Sequence, residues 1–287
     1  MIPVSLLMAL LQYFGWLSIV SGSIAPLFSA LGLPPEAAFA YLSGYFMSVY
    51  ASISAMGFLT LTARQITILG IMVLISHIMI VETSVQKKTG SKAWRMILLR
   101  TLSAFVAAYV LNLLLPADNV LVITGGQKLA VATGIVQVLQ TWGIDTLHLV
   151  IKVVILVTAL MFLQRLLEEF GFNTWLARIF APVMQFMGLP REVSFLWIIA
   201  NTLGLAYGSA VLIEQVENKT IKRSSADLLN HHIAVSHSLL EDSLLLIAVG
   251  ALAPWIIFPR LAIGIIVVWL CRLELVFLSS ASAFRKN

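Results

Sequence analysis

Charge is scarce in this sequence: Asp, Glu, Lys and Arg make up 11% of the 287 residues. A soluble domain carries about 25%, so a chain that folds in water along its whole length is excluded. Cysteine occurs once, at Cys271. That excludes an internal disulfide and leaves the redox compartment open. No GxxxxGK(S/T) loop is present, so the chain holds no nucleotide-hydrolysing engine of its own. No tight ligand motif such as HExxH is present either, and no enzymatic activity is expected. The first residues, MIPVSLLMALLQYFGW, lack a basic n-region and an evident cleavage site, and they read as a first span.

What the sequence has instead is long apolar runs. Hydrophobic residues are 60% of the chain and its mean hydropathy is +0.98. The expected fold is an all-α polytopic membrane protein, with length for about eight or nine helices of ~20 residues. The runs cover about 2–20, 36–61, 66–85, 96–115, 147–163, 193–213, 228–251 and 261–278. The segment Asn119–Trp142 fits a weak span, a re-entrant hairpin or an interfacial helix. The net charge of +5 reads as membrane topology, because the basic residues sit in loops beside the runs. The expected partners are the lipid bilayer and a small solute or ion, with no nucleic acid. A homodimer or a second membrane subunit also fits.

The chain repeats itself. Ala25–Glu36 reads APLFSALGLPPE, and 156 positions later Ala181–Glu192 reads APVMQFMGLPRE. Ala, Pro, Gly, Leu, Pro and Glu recur as Ala25/Ala181, Pro26/Pro182, Gly32/Gly188, Leu33/Leu189, Pro34/Pro190 and Glu36/Glu192. Further on, Ser76-His77 matches Ser236-His237 at an offset of 160, and Glu82-Thr83 matches Asp242-Ser243. The expected division is a first repeat over 1–118, a connector over 119–145 and a second repeat over 146–287.

Loop charge gives the copies a direction. In the first copy the basic loop, Lys87–Arg95, follows the His-bearing run. In the second copy the basic loop, Lys219–Arg223, precedes it, and the tail carries Arg285 and Lys286. Basic loops face the cytoplasm, so the two His-bearing runs are expected to cross in opposite directions. That is an inverted-topology repeat, a common build of secondary transporters. Parity then requires Asn119–Trp142 to cross once.

Ionisable groups at mid-membrane depth are costly and default to a functional hypothesis. The substrate or ion site is therefore assigned to His77, Glu82, His237, Glu241, Asp242 and Asn201. His237, Glu241 and Asp242 with His77 make the candidate metal set, since imidazole and carboxylate suit a first-row divalent metal. Imidazole equally suits a proton relay. His237 and Glu241 are four apart, a spacing that shares a helix face. Asn201 is singled out because a buried amide needs partners. Gly32, Pro34, Glu36, Gly188, Pro190 and Glu192 mark helix breaks, and Ser52 and Ser209 can line a polar route. For Glu36 and Glu192 ordinary first-turn acids are the competing account, and for the small residues close helix packing is. Arg100 and Lys152 are expected to snorkel to the interface, His231 and His232 to lie at it, and Trp142, Trp197, Trp255 and Trp269 to supply interface anchors.

The paired APL…GLPPE and APV…GLPRE segments, each followed by a run of small residues, resemble the Gate (nucleoside-recognition) domain. That domain occurs in concentrative nucleoside transporters, in the membrane part of FeoB-type ferrous-iron permeases and in spore-maturation proteins. The resemblance implies inverted repeats with broken or re-entrant helices near the GLP motifs. It implies no cofactor. The function expected is a small secondary transporter or permease of the cytoplasmic (inner) membrane of a prokaryote. It would move a cation, with a divalent metal ion favoured, by alternating access. The alternatives are a proton-coupled transporter of nucleosides or similar polar solutes, and a non-transporting scaffold or subunit of a two-protein complex.

Overall fold

Helix starts and stops follow the punctuation of the sequence. The computed structural model describes residues 1–117, 120–126 and 134–284. In chain order the elements are α1 (Ile2–Tyr13), α2 (Trp16–Ser21), α3 (Ala25–Ala30), α4 (Ala37–Phe46), α5 (Val49–Met56), β1 (Thr60–Thr62), α6 (Ala63–Ser76), α7 (Met79–Lys88) and α8 (Ala93–Leu114). They continue with β2 (Leu121–Thr124), α9 (Ile135–Glu169), α10 (Phe172–Phe186), α11 (Ser194–Thr202), α12 (Gly204–Glu217), α13 (Arg223–Ser236), α14 (Glu241–Ala248) and α15 (Ala253–Phe284). Among the described residues the regular structure is helical apart from β1 and β2, which pair antiparallel with Thr60 opposite Thr124 and Leu61 opposite Ile123. Thr62 opens α6 with a capping box. Its hydroxyl accepts from Gln65 N, and the Gln65 side chain accepts from Thr62 N.

Among the described residues, four stretches are long and apolar enough to cross a membrane: Ala63–Lys88, Ala93–Leu114, Ile135–Glu169 and Ala253–Phe277. The chain is thus an all-α membrane protein. The eight or nine single spans expected from hydropathy are not what these helices supply, because the other apolar runs are broken. Gly15, at φ +69, parts α1 from α2. Ser48 parts α4 from α5 by capping the Ala51 N–H. Gly204, at φ +79, parts α11 from α12. Only glycine takes such a φ without steric cost. The breaks at Ser48 and Gly204 lie 156 positions apart, the offset of the GLP motifs.

The segment Asn119–Trp142 is divided. Its residues 121–124 form β2, and residues from Ile135 on belong to α9, which runs without a break into the next apolar run. Asn119 and 127–133, with Lys128, lie outside the described residues. In the apolar window of α9 only 17% of the residues are buried, against 83% for Ala63–Lys88. Ile144, Leu147, Ile151, Val154, Ile155 and Phe162 of α9 are exposed. A helix that shows apolar side chains to its surroundings is solvated by lipid. The helix that leads to His77, α6, is enclosed by protein instead, with every residue from Ile66 to Ser76 buried.

The chain forms two compact units. The first comprises Met1–Ile80, Thr101–Phe162 and Asp242–Ile257, and the second comprises Val81–Arg100, Leu163–Glu241 and the chain from Phe258 on. In the first, Arg64 of α6 donates to the Asn112 carbonyl at 2.7 Å and to its side-chain oxygen, and Asn112 Nδ2 donates to Ala30 O. This ties α3, α6 and α8 together. The second has a core in which Met184, Leu189, Val193, Leu196, Trp197 and Leu229 pack with Val268 and Cys271.

Candidate functional site

The repeated GLP stretches are helix stops. Gly32 and Gly188 take φ of +71 and +75. Leu33 N donates to Phe28 O at 3.0 Å and Leu189 N to Met184 O at 2.7 Å, while each glycine N–H bonds three residues back. This is the Schellman pattern that closes a helix on a left-handed glycine. Pro34 and Pro190 follow, and they cannot continue a helix. Glu36 is half-buried and lines a cavity of about 240 Å³ in the first unit, with Gln12, Leu59 and Thr60. Glu192 is exposed in a single turn, Arg191–Val193.

The histidines mark a second pair of breaks. α6 ends at Ser76, His77 is extended with ψ 160, and Ile78 takes φ +45. α13 ends at Ser236, His237 is extended with ψ 164, and Ser238 takes φ +52. Left-handed geometry in a β-branched or buried residue is uncommon, and it gathers at functional sites and switch regions. A main-chain hydrogen bond in the corresponding place helps to hold each bend. Ile78 N donates to Gly44 O at 3.1 Å and Ser238 N to Ala200 O at 2.9 Å. Gly44 and Ala200 are again 156 positions apart. The expectation that His237 and Glu241 share a helix face is corrected here, because the chain turns between them and Glu241 opens α14.

Each bent histidine meets an acid that follows the other histidine in sequence. In the first unit His77 Nε2 lies 3.4 Å from Asp242 Oδ2, at the start of α14. In the second, His237 Nε2 lies 3.0 Å from Glu82 Oε1, in the first turn of α7. Acids are favoured at helix N-termini and cationic imidazole at C-termini, so both partners sit at the helix ends that suit their charge. Both Nδ1 atoms face main-chain carbonyls four residues back, His77 to Val73 O at 3.1 Å and His237 to Ile233 O at 2.8 Å. A carbonyl only accepts, so Nδ1 carries a proton in each ring. Nε2 and a carboxylate oxygen then attract each other only with a proton or a cation between them. Each pair therefore has the chemistry to hold and release one positive charge.

The pair in the second unit has a further charge. Arg100 Nη2 lies 2.6 Å from Glu82 Oε2, and the Arg100 side chain is fully buried. The expectation that Arg100 snorkels to the interface is therefore corrected: this guanidinium is desolvated and held by a carboxylate. Arg260, 160 positions later, is also fully buried and donates to the carbonyls of Val235 and His237. Sequence reasoning passed over Arg260, although it lies at the offset that pairs the histidines.

The remaining candidates separate. Glu241 accepts from Gln164 Nε2 at 3.2 Å, and the same nitrogen donates to Thr202 O. Asn201 is buried and its Nδ2 donates to Trp197 O at 2.8 Å, while its Oδ1 has no hydrogen-bond partner among the described residues. Ser52 and Ser209 are buried, and Ser52 Oγ also has no partner among the described residues. The interfacial placement of Trp197, His231 and His232 is corrected: all three are buried. Trp197 Nε1 donates to His232 Nδ1 at 3.2 Å, and that nitrogen lies 2.8 Å from Ser236 Oγ. Trp269 is exposed, Trp255 is partly exposed, and Trp142 Nε1 donates to Ser5 Oγ.

Known proteins align with this chain as follows. Residues 1–113 match the family described as Gate, nucleoside recognition. Over 254 residues the chain is 28% identical to an uncharacterized membrane protein, YvoD, of Bacillus subtilis (strain 168), covering 86% of this chain and 80% of that protein. No solved structure matches the chain.

Proposed function

We propose that this chain, whose residues 1–113 match the Gate (nucleoside-recognition) family, is a small secondary transporter whose His–acid pairs handle a cation. The observation that carries this reading is the reciprocal pairing of His77 with Asp242 and of His237 with Glu82, with Nδ1 of each ring committed to the main chain. The architecture that goes with it is an inverted repeat in which broken helices pair up to bring the crossings to eight or nine. The shared GLP stops and the paired bends, recurring at offsets of 156 and 160, support that architecture, as does the loop charge. Transport then proceeds by alternating access across the cytoplasmic membrane of a prokaryote, with each pair made of one residue from either sequence copy.

Arg100 bears on which cation is handled. A guanidinium bound to Glu82 already supplies one positive charge, and it disfavours a divalent ion on the same carboxylate. A proton moving between His237 and Glu82 is compatible with it. We therefore take the proton as the coupling ion, and a small polar solute such as a nucleoside as cargo. Asn201 Oδ1 is a buried acceptor available to such a solute. The second reading keeps a divalent metal ion as cargo. It is favoured by the imidazole–carboxylate pair of His77 and Asp242. Service as one subunit of a two-protein complex is a third.

Uptake into proteoliposomes separates these readings. Under the first, nucleoside uptake follows an imposed pH gradient and falls to background in His237→Ala and in His77→Ala. Under the second, Mn²⁺, Fe²⁺, Co²⁺ or Zn²⁺ enters instead and is lost in the same variants. No flux of any of these, with a co-purifying membrane partner, supports the third.

A further inference from the structure

A different cluster of donor atoms lies in the second unit. Asp227, His231 and Cys271 each present one ligand atom, and these atoms all lie within 4.8 Å of one another. Asp227 and His231 are four apart on α13, the spacing that places two ligands on one helix face. Cys271 comes from α15. His231 Nδ1 lies 2.7 Å from the Asp227 main-chain carbonyl and 3.5 Å from Asp227 Oδ1, so it carries the proton, and Nε2 is the nitrogen with the lone pair that a turn of the ring would bring to an ion. That nitrogen is buried with no hydrogen-bond partner among the described residues, in a side chain only 3% exposed. A buried acceptor with nothing to accept calls for a ligand.

The surroundings fit a metal. Ser91 Oγ donates to Asp227 Oδ1 at 2.6 Å, and Asn230 Nδ2 donates to that same Ser91 oxygen at 2.9 Å. Such a chain fixes a carboxylate as outer partners fix metal ligands. Arg95 and Arg272 are cations beside Cys271; Glu274 binds Arg95 through both terminal nitrogens, and Arg272 Nε donates to Gly188 O. The Asp227 side chain keeps 31% of its surface exposed, which gives an ion a way in and a water a fourth position.

From this geometry we infer that Asp227, His231 and Cys271 form a binding site for a divalent transition metal of zinc type, one that clamps α13 to α15. One thiolate, one imidazole and one carboxylate are a borderline-soft set that suits Zn²⁺, with Co²⁺ as its spectroscopic substitute. Thiolate and carboxylate together balance the two charges of the ion, and binding releases the thiol proton. A tetrahedral ion at ~2.3 Å from sulfur and ~2.0–2.1 Å from nitrogen draws the donors together by shifts on the order of 1 Å. This site is separate from the His–acid pairs and is independent of the transport reading.

The test is titration of the purified, full-length, metal-free protein with Co²⁺. Cys271 is the only cysteine in the chain, so a thiolate-to-cobalt charge-transfer band has one possible protein source. The expected result is that band at one Co²⁺ per chain, bleached by Zn²⁺, absent in Cys271→Ser and retained in His77→Ala/His237→Ala. Asp227→Asn, an isosteric change at a partly exposed position, supplies a reading free of core packing. It is expected to weaken Co²⁺ binding at least tenfold while helicity and elution volume are unchanged. Absence of the band in the wild-type protein, or Co²⁺ affinity unchanged in Asp227→Asn, overturns the inference.

Discussion

Glu82 stands between two nitrogen partners: His237 Nε2 is 3.0 Å from one carboxylate oxygen and Arg100 Nη2 is 2.6 Å from the other. All three side chains are buried. Breaking a buried ion pair from one side costs about 3–5 kcal/mol, because the charge left behind is uncompensated. Glu82→Gln is therefore expected to lower the unfolding temperature sharply in detergent. Glu82→Gln/Arg100→Met removes both charges and is expected to recover a large part of that loss. Thermal unfolding of the two variants beside wild type checks this, and equal losses in both would show that the ion pair is not what the site depends on.

The GLP stops give a graded pair. A Cβ added to Gly32 would collide with Asn112 Oδ1 and lie 2.8 Å from Arg64 Nη1, the pair that ties α6 to α8. A Cβ at Gly188 would meet Val268 Cγ1 at 2.9 Å, the tip of an apolar side chain. Both substitutions also place an L-residue at positive φ, at roughly 1–2 kcal/mol. Gly32→Ala is expected to lower the unfolding temperature more than Gly188→Ala does. The reverse order would contradict the assignment of the Arg64–Asn112 bonds.

His232 is expected to resist crowding. A methyl at Gly264 would lie 2.9 Å from His232 Cε1. The ring is held by Trp197 Nε1 and lies beside Ser236 Oγ, so it has little freedom to give way. Gly264→Ala is expected to cost about 1–3 kcal/mol, the range for overpacking. Gly134→Ala meets nothing within 4 Å and serves as the neutral control in the same unfolding experiment.

Much of the fold was legible in the sequence, and what was missed has physical causes. The membrane class followed from composition, and the helix stops followed from Gly32–Pro34 and Gly188–Pro190. Hydropathy counts apolar residues but does not register a bend in the main chain, so Ile2–Val20 and the runs around Ser48, Gly204 and His237 read as single spans. His77 and His237 were singled out by their depth and recurrence. Their pairing was not legible, because Asp242 and Glu82 reach them through tertiary packing and not through helix periodicity. Arg100 was misplaced for a related reason. An arginine near the end of an apolar run has the same sequence signature whether it reaches the interface or a buried carboxylate.

Asn201 offers a test in which stability and activity part. Its Oδ1 is buried without a partner among the described residues, a cost that Leu, of similar volume, does not carry. Asn201→Leu is expected to unfold at a temperature equal to or above that of wild type while solute uptake falls at least tenfold. Unchanged uptake would remove Asn201 from the solute route.

The most direct test of the central claim is pH-gradient-driven uptake of nucleosides by His77→Gln/His237→Gln in proteoliposomes, beside wild type. Gln keeps a polar side chain at each bend and removes the titrating nitrogen. Paired handling of a proton predicts wild-type accumulation that collapses with the gradient, and background uptake in the double variant with its fold intact. Accumulation by the double variant at the wild-type rate would contradict it.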